Sequence, residues 1–364
     1  MSVNSKTMIE SFNPDLAIED SPTPPASWYT SQELLELEKK SAFTEGWQVL
    51  GNLEQLKKPG DFIEGCFLSK PYLIYCDANH KLRGFHNVCP HHGGWLQPVL
   101  NQPEELQCSY HGWRFDSSGK LLKAPHAGGS NLLKNSKLNL KPLQVQTWGP
   151  LVLVCFSDSA PFFEGELHEE KLGSLKLDNL KHIKTVSYPL KCNWKVFVDN
   201  YLDGGYHVKV LHQNLAQNLD LDSYENHIFE RSSVQSCKAD GQKQRIGKSA
   251  YYGWFYPNTM INRYGQWLDL NRVIPTSETT CDVIFEYFYD GDKDLEDLKQ
   301  ELKDSDQVQQ EDILICERVQ KSMESGLFDQ GFYAPKLEEP MYHFHALLYA
   351  GFRQALGINS VTKR

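Results

Sequence analysis

Four residues between positions 88 and 115 carry the strongest chemical signal in the sequence. Cys89 and His91 form a Cys-x-His pair, and after sixteen residues Cys108 and His111 form a Cys-x-x-His pair. Two thiols and two imidazoles could hold zinc tetrahedrally. They could equally hold a [2Fe–2S] cluster, with both thiolates on one iron and both imidazoles on the other. Two features favour iron. Each pair mixes Cys with His, whereas Cys2His2 zinc sites usually pair like with like. Each pair also sits in a Gly-flanked loop among strands, not at a strand-to-helix junction.

A second constellation lies in DNYLDGGYHVKVLH. His207 and His212 are five apart, Tyr206 precedes the first, and Asp203 stands four before it. Two His and one carboxylate on one face of an iron leave open positions for O2 and substrate. Five residues advance an ideal helix by about 500°, so the two imidazoles would point roughly 140° apart. Both reach one metal only if the helix is widened or broken, so an irregularity is expected between Tyr206 and His212. The third ligand should be a buried carboxylate. In QVQQEDILICERVQKSM, Val308, Ile315, Val319 and Met323 fall at helical spacing, and Asp312 lies on the same stripe. A carboxylate there is costly unless it is paired or bound to metal. The competing reading is a solvated Asp on a highly charged helix.

The elements that must position these groups follow from the pattern. SQELLELEKK reads as a helix with Ser31 as N-cap. From Trp47 to about Phe156, short runs such as DFIEGCFL, PYLIYCD, LRGFHNV and GPLVLVCF alternate with turn residues, which predicts an all-β domain. SDSAPFFEGELHEE reads as a linker. Beyond it come a strand at TVSYPLK, a helix over NWKVFVDNYLDGGYHVKVLHQNL and strands from Tyr251 to Asp290. A long charged helix and the helix HFHALLYAGFRQAL follow. The expected fold class is α+β. The expected divisions are 1–45, an N-terminal extension and helix; 46–158, the cluster-binding domain; and 159–364, the catalytic domain with the mononuclear iron.

The net charge of −10 over 364 residues argues against nucleic acid and anionic membrane surfaces as partners. No stretch approaches the ~18 apolar residues needed to cross a bilayer. The polar, acidic first residues lack the pattern of a secretory or transit peptide, so a cytoplasmic location is expected. Nine cysteines without framework spacing read as thiols, some of them metal ligands.

HGWRFDSSG, with Trp113, Phe115, Asp116 and Gly119, matches the strand and turn that follow the second pair in Rieske proteins. Gly94 and Ser109–Tyr110 stand where respiratory Rieske proteins carry an extra disulfide. Together with CPHHGGWL, CSYHGWRFD, NWKVFVDNYLDGGYHVKVLH, YPNTMINRYGQWLDLNRVIP and EDILICERVQKSM, these residues resemble the α subunits of Rieske non-haem iron oxygenases. The likeness extends over nearly the whole chain. It implies an N-terminal Rieske domain and a helix-grip catalytic domain with an antiparallel sheet. It also implies a mononuclear Fe(II) at His207, His212 and Asp312, a homotrimer, and a ferredoxin or ferredoxin reductase as electron donor. Many ring-hydroxylating relatives place a bridging Asp three residues before the first His. Here Gly204 holds that position, which leaves Asp203 or Glu311 to bridge the two metal centres.

Within the family the likeness is narrowest to members that oxidise small quaternary ammonium compounds, and choline is the substrate it implies. Aromatic faces beside a carboxylate hold such cations. Read as strands, Trp254 and Tyr256 share one face, and Trp267, Asp269 and Asn271 share another. Phe285 and Tyr287 follow on the next strand. The aromatics and Asp269 are candidates for substrate contact, against the plain reading that the aromatics are sheet core. Arg272 bears on the choice. Pointing into the pocket it would grip the carboxylate of glycine betaine or carnitine. Paired with Glu286 it would leave choline favoured. The other functions kept open are N-demethylation of such zwitterions, ring dioxygenation, and a Rieske electron carrier with no catalysis.

Overall fold

The computed structural model describes residues 3–127, 131–172, 175–217, 219–239 and 247–358. The chain divides into two compact units, one of residues 45–161 and one of residues 1–44 with 162–364.

The 45–161 unit is built of strands. The six-stranded sheet contains β1 (Gln48–Asn52), β2 (Phe62–Phe67), β3 (Lys70–Cys76) and β4 (Leu82–His86). A four-stranded antiparallel sheet follows in sequence: β5 (Leu96–Val99), β6 (Gln102–Cys108), β7 (Arg114–Asp116) and β8 (Leu121–Lys123). Then β9 (Pro142–Trp148) and β10 (Leu151–Cys155) complete the first sheet in the order β1-β10-β9-β4-β3-β2. The aliphatic run of β10 is buried along its whole length, as a strand covered on both faces must be. Leu96, Leu106, Trp113, Phe115 and Leu121 join Cys89 and Cys108 in one apolar cluster, so both thiols are rooted in core.

The other unit begins with α1 (Val3–Glu10), α2 (Gln32–Lys40) and α3 (Ala42–Glu45). Ser31 caps α2 as expected, accepting the Leu34 N–H at 3.4 Å. This N-terminal segment is not a free extension. Pro22 bridges Phe332, and Trp28, Tyr29, Leu34 and Leu35 are buried. The linker-like stretch contains α4 (Gly165–Leu172), anchored by two polar residues. Buried His168 lies 2.7 Å from Tyr251 Oη and 2.8 Å from Ser232 Oγ, and Glu164 accepts the N–H groups of Glu230 and Arg231. Its polar composition concealed this anchoring.

After β11 (Lys181–Leu190) come α5 (Trp194–Tyr201), α6 (Val208–Leu211) and α7 (Gln213–Ala216). Strands β12 (Leu219–Ile228), β13 (Ser232–Ala239), β14 (Ser249–Phe255), β15 (Thr259–Tyr264), β16 (Trp267–Ser277) and β17 (Thr280–Tyr289) follow. They form an antiparallel seven-stranded sheet, β11-β17-β16-β15-β14-β13-β12. The long helix α8 (Leu295–Glu324) and then α9 (Glu339–Ala355) close the unit. α8 is held to the sheet by polar ties, among them Tyr188 Oη to Asp306 at 2.7 Å and Trp267 Nε1 to Glu301 at 2.6 Å.

A buried ion pair fastens α2 to α5. Lys195 Nζ lies 2.6 Å from Glu38 Oε1, both are fully buried, and Trp194 Nε1 donates to the other carboxylate oxygen. α5 is the helix that carries Asn200 toward the site. Among the described residues no helix is long and apolar enough to cross a membrane.

Candidate active site

The single helix expected over 193–215 is broken in two places. α5 stops at Tyr201, and the turn that follows runs through Gly204 and Gly205 at φ +68° and +71°. L side chains rarely adopt that conformation. A Cβ on Gly204 would also meet the Leu337 carbonyl oxygen at 2.3 Å. The second break is at His212, at φ −108° and ψ 61° between the one-turn helices α6 and α7. The helical phase is therefore lost at one of the two imidazoles, and their rings come to 5.0 Å at an 81° angle.

α8 delivers Asp312 to the same place. Its Oδ1 lies 3.1 Å from His212 Nε2 and 3.9 Å from His207 Nε2, and Asn200 Nδ2 donates to it at 2.9 Å. One ligand atom from each of His207, His212 and Asp312 falls within a 4.8 Å group. The buried residues of α8 are Leu298, Gln309, Cys316 and Gln320, while Val319 is exposed. The Val308–Val319 line that carries Asp312 thus borders the buried stripe instead of forming it.

Two further carboxylates orient the imidazoles. His207 Nδ1 donates to Asp203 Oδ2 at 2.6 Å, and His212 Nδ1 to Glu311 Oε2 at 2.7 Å. Each bond fixes the tautomer that leaves Nε2 as a lone-pair donor facing Asp312. Burial lowers the His212 pKa, but Asp312 and Glu311 together outweigh it and hold the imidazole above its ordinary value. The site is therefore built around positive charge. Its donor set, two imidazole nitrogens and a carboxylate, fits a ferrous ion with coordination positions to spare.

In the other unit the four expected ligands converge. Cys89 and Cys108 are buried in the same apolar cluster. The rings of His91 and His111 lie 4.7 Å apart nearer the surface, with His91 stacked on Trp113. His91 Nδ1 is buried without a hydrogen-bond partner, an orphan that a metal would satisfy. Gly94 is required by closeness, because a Cβ there would meet Cys108 Sγ at 2.8 Å. This cradle fits a [2Fe–2S] cluster with its thiolate-held iron inside and its imidazole-held iron toward solvent.

A cavity of about 290 Å³ opens beside His207, His212 and Asp312. Its aromatic walls are Phe197, Tyr201, Tyr224, Tyr252, Tyr264 and Phe285. The tyrosine hydroxyls are largely engaged by protein. Tyr201 donates to Asn262 Oδ1 at 2.8 Å, Tyr224 to Gln235 Oε1 at 3.1 Å, and Tyr264 to Asp269. What they offer the cavity is ring surface. Asp269, Asp304, Glu311 and Asp312 add carboxylates, and none of the described lining residues is Lys or Arg.

Of the residues expected to contact substrate, Asp269 and Phe285 line this cavity. Trp254, Tyr256, Trp267 and Tyr287 do not. Trp254 packs edge-on against Phe344 of α9, and Tyr256 lies past the end of β14 beneath the Arg231 guanidinium. Trp267 donates to Glu301, and Tyr287 lies 3.3 Å from Ser305 Oγ. Trp254, Met260, Asn271 and Phe285 are in register across β14 to β17, so the sheet face is shared. Which helix covers each row decides whether a side chain meets core or cavity. Tyr224, Tyr252 and Tyr264 went unforeseen for that reason, and Tyr201 because α5 ends at it. The Tyr264–Asp269 pairing could have been suspected from their placement across the short β15–β16 turn. Arg272 Nη2 lies 2.6 Å from Glu286 Oε1 and is absent from the lining.

Comparison with known proteins agrees with this architecture. Residues 46–147 match the Rieske [2Fe-2S] domain, and residues 177–350 match the ring hydroxylating alpha subunit catalytic domain. The chain is 40% identical to the chloroplastic choline monooxygenase of Arabidopsis thaliana, covering 94% of this chain and 86% of that one. It is 28% identical to the carnitine monooxygenase oxygenase subunit of Acinetobacter pittii, covering 86% and 87%. In fold it resembles a solved quaternary ammonium Rieske monooxygenase, studied for carnitine oxidation by gut microbiota and inter-subunit electron transfer. The TM-score is 0.77 at 23% identity, over 94% of this chain and 96% of the other.

Proposed function

This chain belongs to the Rieske non-haem iron oxygenases and is a monooxygenase with a [2Fe–2S] cluster and a mononuclear iron; from that premise we propose that it hydroxylates choline at the alcohol carbon. The product would be a hydrate that loses water to give betaine aldehyde. Cys89, His91, Cys108 and His111 would hold the cluster, and His207, His212 and Asp312 the iron. Bound there, the cluster supplies electrons one at a time and the ferrous ion activates O2 for insertion into a C–H bond. Asp203 and Glu311 hold the imidazole rings in the ligating tautomer. The aromatic walls exclude water and present ring faces to a trimethylammonium group.

One observation carries the choice of substrate. The cavity is lined by carboxylates and aromatic rings and by no described Lys or Arg. A cation is favoured there by both groups. The carboxylate of glycine betaine or carnitine would enter beside Asp269, Asp304, Glu311 and Asp312 with no described Lys or Arg to pair it. Arg272, the side chain that could have met it, is committed to Glu286. The 40% identity to a choline monooxygenase supports the same substrate. Equilibrium binding to the metal-loaded protein tests it. Choline should bind at least about tenfold more tightly than glycine betaine or carnitine, a difference of about 1.4 kcal/mol. Equal or tighter binding of either zwitterion would reject choline as the substrate.

A homotrimer supplied by a separate ferredoxin or ferredoxin reductase completes the proposal. The inter-subunit electron transfer described for the structural relative supports the assembly, and solution mass measurement checks it. The proposed compartment is the cytoplasm, although the Arabidopsis relative is chloroplastic; fractionation of the source cells decides between them.

A further inference from the structure

Two amides in the cavity wall neither ligate the iron nor orient a ligand. Asn271 is 3% exposed and Gln309 is 2% exposed, and both line the cavity. Asn271 Oδ1 and Gln309 Nε2 are fully buried, and neither has a hydrogen-bond partner. Buried polar groups are rarely left in that condition, because each loses its water without replacement. One orphan is an acceptor and the other a donor.

Their positions relate them to the rest of the site. Asn271 follows Asp269 by two residues on β16, so the two side chains leave the same face of the strand. Their spacing along it is about 7 Å. Gln309 stands three residues before Asp312 on α8, about 4.5 Å along the helix and on nearly the same side. The Asp269–Tyr264 end of the cavity therefore suits the cationic head. Trp267 donates to Glu301 and Tyr287, paired with Asp269, lies against Ser305, so β16 and α8 advance together, from Asp269 to Asn271 and from Ser305 to Gln309, in the direction of Asp312.

We propose that Asn271 and Gln309 form a hydroxyl-recognition subsite that makes this cavity selective for amino alcohols; the inference rests on the quaternary ammonium reading above. A hydroxyl both donates and accepts through one oxygen, so it can satisfy Asn271 Oδ1 and Gln309 Nε2 together. A carboxylate only accepts, and would leave Asn271 Oδ1 facing negative charge. An alkyl group does neither and leaves both amides buried and unpaired. Sites of this kind reject the analogue that lacks the hydroxyl far more strongly than sites that only match shape. The subsite would also fix the alcohol carbon, and not an N-methyl group, as the one presented for oxidation.

The test compares three probes by equilibrium binding to the metal-loaded protein: choline, ethyltrimethylammonium, which lacks only the hydroxyl, and tetramethylammonium, which keeps only the head group. The wild-type protein should prefer choline to ethyltrimethylammonium by at least about tenfold. In Asn271→Leu and Gln309→Met the preference should shrink to about threefold or less, because choline weakens while the analogue does not. Each preference is a ratio within one preparation, so a misfolded fraction cancels, and the wild-type ratio needs no variant. The subsite is overturned if the wild-type protein shows no preference, or if both variants keep it. If tetramethylammonium binds in either case, the quaternary ammonium reading survives alone. If it does not bind the wild-type protein, that reading fails first.

Discussion

Asp312→Ala should lose turnover by at least about a thousandfold while its [2Fe–2S] absorption stays unchanged. A residue that only orients a metal ligand typically costs 10- to 100-fold in affinity or activity. Asp312 does more in this account, since it supplies the carboxylate of a three-ligand set that has no described replacement. Glu311, its neighbour in sequence, is engaged with His212 Nδ1 and with Gln307 Nε2. The variant also strips Asn200 Nδ2 of its acceptor. Iron analysis gives the decisive readout: about three irons per chain in the wild-type protein and about two in the variant, with sulfide constant at about two. Full iron content with wild-type turnover would remove Asp312 from the ligand set.

Asp203→Asn is expected to act differently, by keeping all the iron and slowing electron delivery to it. Asp203 accepts the His207 Nδ1–H and the His207 backbone N–H, at 2.6 and 3.0 Å. Asparagine can preserve one acceptor but not the charge. Glu311 plays the matching part at His212, so the two carboxylates compete for the bridge between metal centres. We favour Asp203. The His207 side chain is 23% exposed and that of His212 only 2%, and Tyr206 and Val210 beside His207 are largely exposed. The carboxylates themselves run the other way, Asp203 at 12% and Glu311 at 29%, so the choice rests on the imidazole that lies nearer the surface. Stopped-flow oxidation of the pre-reduced cluster in the presence of choline and O2 separates the cases. Asp203→Asn should slow it at least about a hundredfold with iron retained, whereas Glu311→Gln should slow it about tenfold or less. The reverse ranking would assign the bridge to Glu311.

How far the sequence could be read depended on how local each feature was. The cluster cradle was legible because each Cys–His pair lies within one loop, so spacing alone sets its geometry. The His207–His212 pair was legible as a conflict, since a five-residue interval cannot serve one metal on a regular helix. The form of its resolution was not legible. Two left-handed glycines and a non-helical His212 depend on the Leu337 backbone and on α8, both distant in sequence. Those glycines also explain how Asp203, displaced by one position from the family pattern, still reaches His207. The substrate walls were least legible. Tyr252 and Trp254 share one strand face, yet Tyr252 meets the cavity and Trp254 meets α9. No residue type or spacing encodes which helix covers a strand row. Asn271 was legible only as a neighbour of Asp269 on one strand face, and Gln309 not at all; their burial without partners is what the structure adds.

The coupling of two unlike iron centres is tested most directly by a single turnover of the chemically reduced, iron-loaded protein with choline and O2. Betaine aldehyde is expected, formed in step with oxidation of the cluster and suppressed when choline is withheld. Cluster oxidation that proceeds at the same rate without choline, and yields no oxidised choline, would contradict it and leave an electron carrier.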